Sequence, residues 1–237
     1  MKYLILDCNG LCHRAFHTTG ELRYQSSYGN RPTGTTYGFL SAVLVLQNEL
    51  RSQNMIFCFD KDNKSLREKL LPEYKAKRKA LKSKWSEAEK KAFAGMYRQI
   101  KELRKTHLKS MGYRNVFYKT GYEADDIIAS VCKNLKEGDT AVVVSQDSDM
   151  YQLISKTVSV YNPRTKTLWT KKHFKSTYGI KPKQWIQVKA LAGCGTDEIG
   201  GIKGIGELTA LKFVKNELKA GAKYQSIICK AGQKIKK

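Results

Sequence analysis

Four apolar, strand-like runs of this sequence are each followed by acidic residues. The runs are residues 4–6, 55–59, 115–118 and 141–144, and the seven acids after them are Asp7, Asp60, Glu123, Asp125, Asp126, Asp147 and Asp149. If the runs form a parallel sheet, their carboxyl ends meet at the edge where ligands bind in α/β folds. Carboxylates gathered there repel one another unless cations neutralise them, and divalent metals with oxygen ligands suit that role. The pattern therefore predicts a divalent-metal site.

Two of the acidic groups are denser than ordinary helix capping requires. Glu123, Asp125 and Asp126 open a predicted helix, where carboxylates favour the positive end of the helix dipole. Capping needs one or two acids, so three within four residues favour metal binding, and capping is the alternative. Asp147 and Asp149 flank a single residue, and in an extended chain their side chains would point the same way, as in a metal clamp.

The chain as a whole is basic, in contrast to these acidic groups. Its 237 residues carry 44 Lys and Arg against 21 Asp and Glu, a formal net charge of +23. Such an excess favours a polyanionic partner such as nucleic acid, and the alternative is a generically basic surface. An acidic metal site in a basic protein points to metal-dependent hydrolysis of phosphodiester bonds.

Composition excludes several other classes of protein. The 41% of hydrophobic residues can build a sizeable core, but no run approaches the ~20 apolar residues that span a membrane. The N-terminus lacks the basic start and apolar segment of a signal peptide. We therefore expect a cytoplasmic protein in a reducing compartment, where disulfides are rare.

One cluster of cysteine and histidine residues has spacings that resemble a zinc site. Its members are Cys8, Cys12, His13 and His17. Zinc ligands at such spacings need a chain that folds back on itself. This segment instead is predicted to run from a strand into a helix, which favours packing of the small cysteine side chains.

Hydrophobic patterning predicts alternating strands and helices. Strands are expected over residues 2–7, 54–60, 115–119 and 140–145, and helices over 35–51, 123–135 and 150–154. The alternation indicates βαβ units and hence an α/β fold with a mostly parallel sheet flanked by helices. Residues 158–161 and 167–170 are predicted to form a late hairpin or edge strands.

A long basic insertion separates the second and third predicted strands. Residues 61–110 contain 17 Lys and Arg against 6 Asp and Glu, a net charge of +11, and the aromatic residues Tyr74, Trp85, Phe93 and Tyr97 lie among them. Cations for phosphates and aromatic faces for bases together form grooves for single-stranded nucleic acid. The alternative is an amphipathic helical pair whose aromatic side chains pack against the core.

A glycine-rich turn follows at residues 200–206, with Gly201, Lys203, Gly204 and Gly206 as its small or basic members. Small residues let the main chain approach a phosphate, and the N–H groups of a following helix can bind it. Such contacts position a duplex without reading its sequence. The alternative is a simple connection between two helices.

These motifs together resemble the 5′-nuclease family of bacteriophage 5′→3′ exonucleases, flap endonucleases and the 5′-nuclease domain of DNA polymerase I. The resemblance covers Met1 to about Lys219 and rests on several motifs in the family's order. They are Asp7 with Arg14, Asp60 before Ser65, the segment Pro72-Glu73-Tyr74-Lys75-Ala76-Lys77-Arg78, the acids of 123–126 and 147–149, and Asp197 at the start of the glycine-rich turn.

The resemblance implies a fold and an activity. The fold would be a PIN-like sheet over residues 1–180, with the basic insertion as a helical arch, and a helix–three-turn–helix that grips duplex DNA over 181–237. The activity would be exonuclease and flap-endonuclease cleavage of DNA in replication or in primer and flap removal. Substrates would be 5′ flaps, duplex ends and single-stranded 5′ arms, and RNA–DNA hybrids are a further candidate. The chain would act as a monomer, in the host cytoplasm if it is encoded by a phage.

The resemblance also assigns roles to residues. Two Mg²⁺ or Mn²⁺ ions would lie on Asp7, Asp60, Glu123 and Asp125, and on Asp147 and Asp149 with Asp125 or Asp126 and Asp197. Lys75, Arg78 and Arg14 would act on the scissile phosphate. DNA contacts would come from Tyr74, Lys75, Arg78, Gly201, Lys203, Gly204 and Gly206, and the glycine turn would hold K⁺.

One position departs from the family pattern. The segment Gly193-Cys194-Gly195-Thr196-Asp197 has a thiol where the family usually has an acid that helps to bind the second metal. A thiol suits Mg²⁺ poorly and Mn²⁺ or Zn²⁺ somewhat better, so the gap between activity with Mn²⁺ and activity with Mg²⁺ should be wider than in a family member with Asp at this position. Two alternatives remain at this point, a non-catalytic binding protein for DNA structures and an RNA-directed nuclease.

Overall fold

The computed structural model describes residues 1–19, 27–28, 31–61, 66–195, 197–219 and 223–235, which leaves Ser65 and Thr196 of the motifs outside the described residues. The fold is mixed α/β. Its strands are β1 Lys2–Asp7, β2 Ser27–Tyr28, β3 Arg31–Pro32, β4 Asn54–Cys58, β5 Val116–Phe117, β6 Thr140–Val144, β7 Val158–Asn162, β8 Thr167–Trp169, β9 Gly193–Cys194 and β10 Ile199–Gly200. Its helices are α1 Cys8–Thr19, α2 Gly34–Leu50, α3 Leu66–Leu70, α4 Ala76–Ser83, α5 Glu87–Glu102, α6 Leu108–Ser110, α7 Ala124–Lys133, α8 Lys171–Tyr178, α9 Trp185–Ala192, α10 Glu207–Val214 and α11 Lys223–Ile235.

The main sheet has the strand order β5-β4-β1-β6-β7-β8. All neighbouring pairs are parallel except β7 with β8, which form an antiparallel hairpin. The chain passes from β1 to β4 on one side and later adds β6 on the other, so the strand order reverses beside β1. Such a switch point opens a crevice outside the carboxyl ends of the strands. Asp7, the last residue of β1, stands at this crevice.

Alternate residues of β1 face two hydrophobic clusters. Leu4 and Leu6 pack with side chains of α1, α2 and α5, whereas Ile5 packs on the opposite face with side chains of α7 and α9. All three are fully buried, as the two-residue period of a strand requires. Burying each side chain contributes roughly 1.5–3 kcal/mol, so the strand that ends at Asp7 is held firmly on both faces.

Most predicted elements are present, with small differences at their ends. The prediction of a mostly parallel sheet and of the late hairpin is confirmed. Helix α2 ends at Leu50 because Arg51 adopts the left-handed conformation, with φ of 47°. The short helix predicted over 150–154 is a 3₁₀ turn over Ser148–Leu153. Helix α10, which follows the glycine-rich turn, ends at Val214.

Two further expectations concern packing. Cys8 and Cys12 lie on α1 with no exposed surface, in the cluster that contains Leu4, so the packing interpretation holds rather than the zinc site. Trp185 and Ile205, from beyond residue 180, share a hydrophobic cluster with Ile5. The division of the chain into two domains at residue 180 stays a prediction. None of the described helices has the length and apolar character needed to cross a membrane.

Candidate active site

Five acidic side chains face one another at the carboxyl ends of adjacent strands. They are Asp7 at the end of β1, Asp60 after β4, Glu123 and Asp125 at the start of α7, and Asp147 after β6. The charges of the other four all raise the pKa of Asp125, and with burial as the largest cause that pKa reaches about 8. The parallel sheet therefore brings these acids together as predicted.

Asp7 is held by neutral donors rather than by a cation. The Gly10 amide donates to Oδ1 and the Ser145 hydroxyl donates to Oδ2, each over 3.0 Å. Burial raises the pKa of Asp7 to about 6 in spite of these two hydrogen bonds. A Cβ atom at Gly10 would lie 2.8 Å from Oδ2 of Asp7, so a larger residue there would displace the carboxylate.

Asp60 is fixed through its main chain as well as its side chain. Its amide donates to Oδ1 of Asn9 over 3.1 Å, and its Oδ1 accepts from the Ala124 amide over 2.6 Å. Arg104 donates to its carbonyl oxygen. Burial raises the pKa of Asp60, and the Ala124 hydrogen bond opposes that rise.

Glu123 differs from these two because cations surround it. Lys75 Nζ and the Tyr74 hydroxyl each donate to its Oε2 over 3.0 Å, and Arg67 lies 3.7 Å away. Burial alone would raise the pKa of Glu123, but Lys75 and Arg67 outweigh it and the pKa is lowered. Tyr74 is only 3% exposed, so in this structure it orients Glu123 and does not present its ring to DNA.

Asp126 has a different role from the metal ligand predicted from the sequence. Its two oxygens each accept a hydrogen bond of 2.8 Å from Arg67, and Oδ2 also accepts from the Glu123 amide over 3.0 Å. The last contact closes the capping box of α7. The capping alternative thus describes Asp126, and we leave it outside the candidate metal set.

Two of the remaining acids, Asp149 and Asp197, pair with cations. Asp149 lies 3.1 Å from Lys189 Nζ, and Asp197 accepts a hydrogen bond of 2.8 Å from Arg78. The chain around Asp149 is a 3₁₀ turn, so the expectation of an extended clamp is wrong; the Asp149 amide instead donates to Asp147. Burial is the largest cause that raises the pKa of Asp147.

Cys194 lies near Asp149 and Asp197. It belongs to β9, which pairs with β10 around Ile199. The Asp197 amide donates to the Cys194 carbonyl over 3.2 Å, and Lys189 pairs with Asp149. The thiol therefore stands beside the acids that the family resemblance assigns to the second metal.

A cavity of about 610 Å³ lies beside Asp60 and Glu123. Asp60 and Glu123 line it on the side of the sheet, and six cations line it as well: Lys61, Lys75, Arg78, Lys82, Lys101 and Arg104. All six come from the basic insertion. The insertion thus covers the acids with positive charge, in the place that the predicted arch would occupy.

The aromatic residues of the insertion pack instead of forming an exposed stack. Trp85 stacks on Phe93 at 4.0 Å between ring centroids, and Phe93 packs on Phe16 of α1 at 5.0 Å. Tyr97 meets His13 edge to face at 6.1 Å. The packing alternative therefore describes Trp85 and Phe93. Helices α4 and α5 line the cavity with Arg78, Lys82 and Lys101, together with Tyr97 and Ile100.

Arg14 lies away from the acids, unlike the catalytic role assigned to it. Its Nη1 donates to the Pro163 carbonyl over 2.7 Å, beyond the end of β7. It lines a second, mostly apolar cavity of about 370 Å³ between α1 and α2. In this structure Arg14 fastens α1 to the β7–β8 turn.

The glycine-rich turn links α9 to α10. Gly193 and Gly201 approach so closely that a Cβ atom on Gly201 would lie 2.5 Å from the Gly193 nitrogen. Gly204 has φ of +84°, which favours glycine. Gly206 is the residue before α10, and Lys203 is exposed in the turn. The arrangement leaves main chain and one cation at the surface.

The acids have the chemistry of a divalent-cation site but do not yet converge on one point. Among the described residues, no three His, Cys, Asp or Glu side chains are close enough together to hold a metal as they lie. Burial first, and then the charges of neighbouring acids, nevertheless raise the pKa of Asp125 and of Asp7. Hard carboxylate oxygens suit Mg²⁺ and Mn²⁺, so the donors fit such ions.

Several residues of the site were missed by sequence reasoning. They are Asn9, Gly10, Arg67, Arg104, Ser145 and Lys189. Ser145 and Gly10 lie within three residues of a predicted acid, so sequence proximity could have indicated them. Arg67, Arg104 and Lys189 are distant in sequence from their partners, and nothing distinguishes them from the other cations of a basic chain.

Comparison with known proteins is consistent with this geometry. The family model described as 5′-3′ exonuclease, N-terminal resolvase-like domain, matches residues 2–179. The chain is 29% identical over 217 residues to a 5′-3′ exonuclease of Mycoplasmopsis pulmonis, covering 91% of this chain and 66% of that protein. It is 32% identical over 214 residues to a 5′-3′ exonuclease of Buchnera aphidicola, covering 90% of this chain and 69% of that protein.

A solved structure shares the fold. The D15 flap endonuclease of bacteriophage T5, in a complex with DNA and metal ions, superposes with a TM-score of 0.77 at 22% identity. The match covers 96% of this chain and 84% of the phage protein. The chain thus spans about two thirds of the Mycoplasmopsis relative's length and most of the phage protein's.

Proposed function

The chain belongs to the 5′-3′ exonuclease family, whose N-terminal resolvase-like domain matches residues 2–179, and on that premise we propose that it is a divalent-metal-dependent, structure-specific 5′ nuclease of DNA. The resemblance drawn from the motifs is confirmed by these matches. One observation carries the proposal: five acids that act on one another's charge lie at the carboxyl ends of adjacent strands, beside a cavity lined by six cations. Phosphodiester hydrolysis uses both, acids for metals and cations for phosphate.

The acids that would hold the cations fall into two groups. Asp7, Asp60, Glu123 and Asp125 would hold one ion, and Asp147, Asp149 and Asp197 would contribute to the other, with Cys194 beside them. Bound Mg²⁺ or Mn²⁺ would supply the Lewis acidity that activates water and offsets charge on the phosphate. The raised pKa values of Asp7 and Asp125 support this assignment, because an uncompensated acid gains most from a cation.

Lys75 and Arg78 are the cations placed to receive the phosphate. Lys75 Nζ contacts Glu123, and Arg78 contacts Asp197, while both side chains also line the cavity. Each therefore bridges a candidate cation ligand and the space for substrate. Their charges would offset the charge that develops on the phosphate during cleavage. The main chain of Lys75 has the left-handed φ of 56°.

Substrate binding would use the cavity and the glycine-rich turn. The cation-lined cavity suits a single-stranded 5′ arm, and the turn with Gly201, Lys203, Gly204 and Gly206 suits the backbone of the adjoining duplex, with K⁺ bound to its carbonyl groups. DNA flaps and duplex ends are the proposed substrates, with RNA–DNA hybrids as an extension. We further propose that the chain acts as a monomer in replication or primer removal.

A flap-cleavage assay tests the proposal. The substrate is a duplex with a single-stranded 5′ flap, labelled at the 3′ end of the flap strand, incubated in EDTA, Mg²⁺ or Mn²⁺. We expect a discrete product near the junction in either metal and none in EDTA. A ladder of products would indicate exonuclease action as the main activity. Matched DNA, RNA and hybrid flaps in parallel would define the sugar preference.

The control is an Asp125→Asn variant, which should bind the flap in a gel shift but fail to cleave it. Flap binding by the unaltered chain without cleavage in any metal would overturn the nuclease proposal and favour a binding protein. Cleavage of RNA alone would favour the RNA-directed alternative.

A further inference from the structure

Arg104 is a buried cation next to the candidate active site. Only 9% of its surface is exposed, and arginine is almost never buried unless its charge is compensated. It lies in the π-helical turn Leu103–His107 that continues α5. Turns of this type inside α-helices occur frequently at functional sites.

The guanidinium group of Arg104 donates hydrogen bonds to the main chain just beyond β4. Its Nη1 donates to the carbonyl of Asp60, and its Nη2 donates to the carbonyl of Lys61 over 3.0 Å. The group also lies over the ring of Tyr118, 5.1 Å from the centroid. The planar guanidinium of arginine presents its donors in a rigid fork that reaches two consecutive carbonyls at once, a geometry that the compact ammonium of lysine does not match.

These contacts complete the support of one acid. Asn9 and Ala124 hold Asp60 through its amide and its carboxylate, and Arg104 holds it through its carbonyl. Without the guanidinium, two carbonyls in a confined site would lose their donors, which is unfavourable. The main chain from which the Asp60 carboxylate projects would then shift. Because Arg104 continues α5, its contacts also attach the basic insertion to this strand end.

We propose that Arg104 is a positioning residue for divalent-cation binding, because it fixes residues 60–61 so that the Asp60 carboxylate faces the other acids. The inference rests on the proposed function, since it treats Asp60 as a cation ligand. Loss of a group that orients a metal ligand costs about 10–100-fold in metal affinity. Arg104 keeps its position by contacts with main chain and ring, and it needs no contact with substrate.

The test is titration of the full chain with Mn²⁺ alone, with unbound Mn²⁺ measured by electron paramagnetic resonance. The proteins are the unaltered chain, Arg104→Lys, Asp60→Asn and Lys105→Met. Lys105 is the exposed neighbour in the same turn, so its variant removes a charge without the carbonyl contacts. We expect the dissociation constant to rise about tenfold in Arg104→Lys and to stay unchanged in Lys105→Met.

Melting temperatures in EDTA separate positioning from general stability. A purely structural role would lower the melting temperature of Arg104→Lys and leave its Mn²⁺ affinity unchanged, which would overturn the inference. If Arg104→Lys fails to fold, Tyr118→Leu removes the ring beneath the guanidinium and should weaken Mn²⁺ binding about threefold. An unchanged affinity there would equally overturn it.

Failure of the proposed function would look different. If the unaltered chain binds no Mn²⁺, the metal-dependent function itself is wrong. If Asp60→Asn weakens binding while Arg104→Lys does not, the cation site stands and only the role of Arg104 is refuted.

Discussion

The acids of the site form two groups that differ in how their charge is compensated. The first acid group is Asp7, Asp60, Glu123 and Asp125, and the second acid group is Asp147, Asp149 and Asp197. In the first group, Asp7 accepts hydrogen bonds from a glycine amide and a serine hydroxyl. The pKa of Asp125 is raised to about 8, and burial is the largest cause. In the second group, Lys189 pairs with Asp149 and Arg78 pairs with Asp197.

This difference indicates which group depends more on an added cation. Glu123 of the first group is paired with Lys75 and Arg67, whereas the pKa values of Asp7 and Asp125 are raised by burial and by neighbouring acids. Burying such charges is costly, so Asp7 and Asp125 should bind a divalent ion strongly to relieve repulsion. The second group already carries two protein cations, and Cys194 adds a softer thiol beside them. We expect the first group to dominate metal affinity and the second to set the preference between metals.

Removing an acid from the first group should have the largest effect. Asp125→Asn keeps the shape of the side chain but removes the charge that faces four other acids. Loss of a metal-stabilised charge costs several kcal/mol in the transition state, so flap cleavage should fall about 1,000-fold. Single-turnover cleavage in Mg²⁺ measures the effect. Asp149→Asn is the matched variant in the second group, and its cleavage should fall only about tenfold, since Asp149 already has a cation partner.

Equal losses in these two variants would contradict the comparison, because both acids would then bear the same share of the cation. A gel shift with the flap substrate checks that each variant still binds DNA.

Asp147 should show an intermediate effect. It is the member of the second group whose pKa is raised by burial, and Lys189 offsets only part of that rise. Asp147→Asn should lower turnover about 100-fold at unchanged flap affinity. A loss of flap binding of the same size would mean that the carboxylate has a structural role. Rapid-quench cleavage and fluorescence anisotropy measure the two quantities separately.

Replacing Cys194 with aspartate should alter the preference of the enzyme between Mn²⁺ and Mg²⁺. In Cys194→Asp, a hard oxygen replaces the thiol beside Lys189, which favours Mg²⁺. We expect the ratio of activity in Mn²⁺ to activity in Mg²⁺ to fall about tenfold relative to the unaltered chain. Cys229→Asp, at an exposed cysteine outside the site, is the control. An unchanged ratio in Cys194→Asp would show that position 194 does not touch the second ion.

The sequence predicted the gathering of acids because that prediction needs only strand ends and a parallel sheet. Strands β1, β4 and β6 are apolar runs that can be recognised from a few neighbouring residues, and Asp7, Asp60 and Asp147 lie at their ends or within three residues beyond. The resemblance supplied Lys75, Arg78 and Asp197, which share the site although Asp197 lies 119 residues from Arg78 along the chain.

What the sequence could not predict are side-chain contacts decided by tertiary packing. Asp126 was expected beside a metal, yet the distant Arg67 captures it. Arg14 fits the family motif but lies at the Pro163 carbonyl. Tyr74 was expected at DNA and is buried against Glu123. In each case the partner comes from another element, so no local pattern records the contact.

The last expected effect concerns stability rather than catalysis, because the stability of the folded chain should depend on pH in the absence of metal. The folded-state pKa of Asp7 is about 6 and that of Asp125 about 8, against an ordinary value of 3.8, with burial as the main cause. A raised carboxyl pKa stabilises the folded chain fully below the unfolded value and loses that contribution as pH rises through the folded value. Stability in EDTA should therefore fall between pH 5 and pH 8.

The fall should be several kcal/mol, because each raised carboxyl loses about 1.4 kcal/mol per pH unit below its folded-state pKa, and it corresponds to about 10 °C or more in melting temperature for a chain of this size. Thermal melts in EDTA from pH 5 to pH 8 measure it, and Mn²⁺ should restore the loss most strongly at pH 8. Asp125→Asn should have a shallower slope, whereas Glu137→Gln, at an exposed acid, should keep the slope of the unaltered chain. Histidine titration acts alike in all three proteins, so the difference in slope isolates Asp125. Parallel slopes would mean that the first acid group is not under electrostatic strain, and the contrast between the two groups would then have to rest on metal affinity alone.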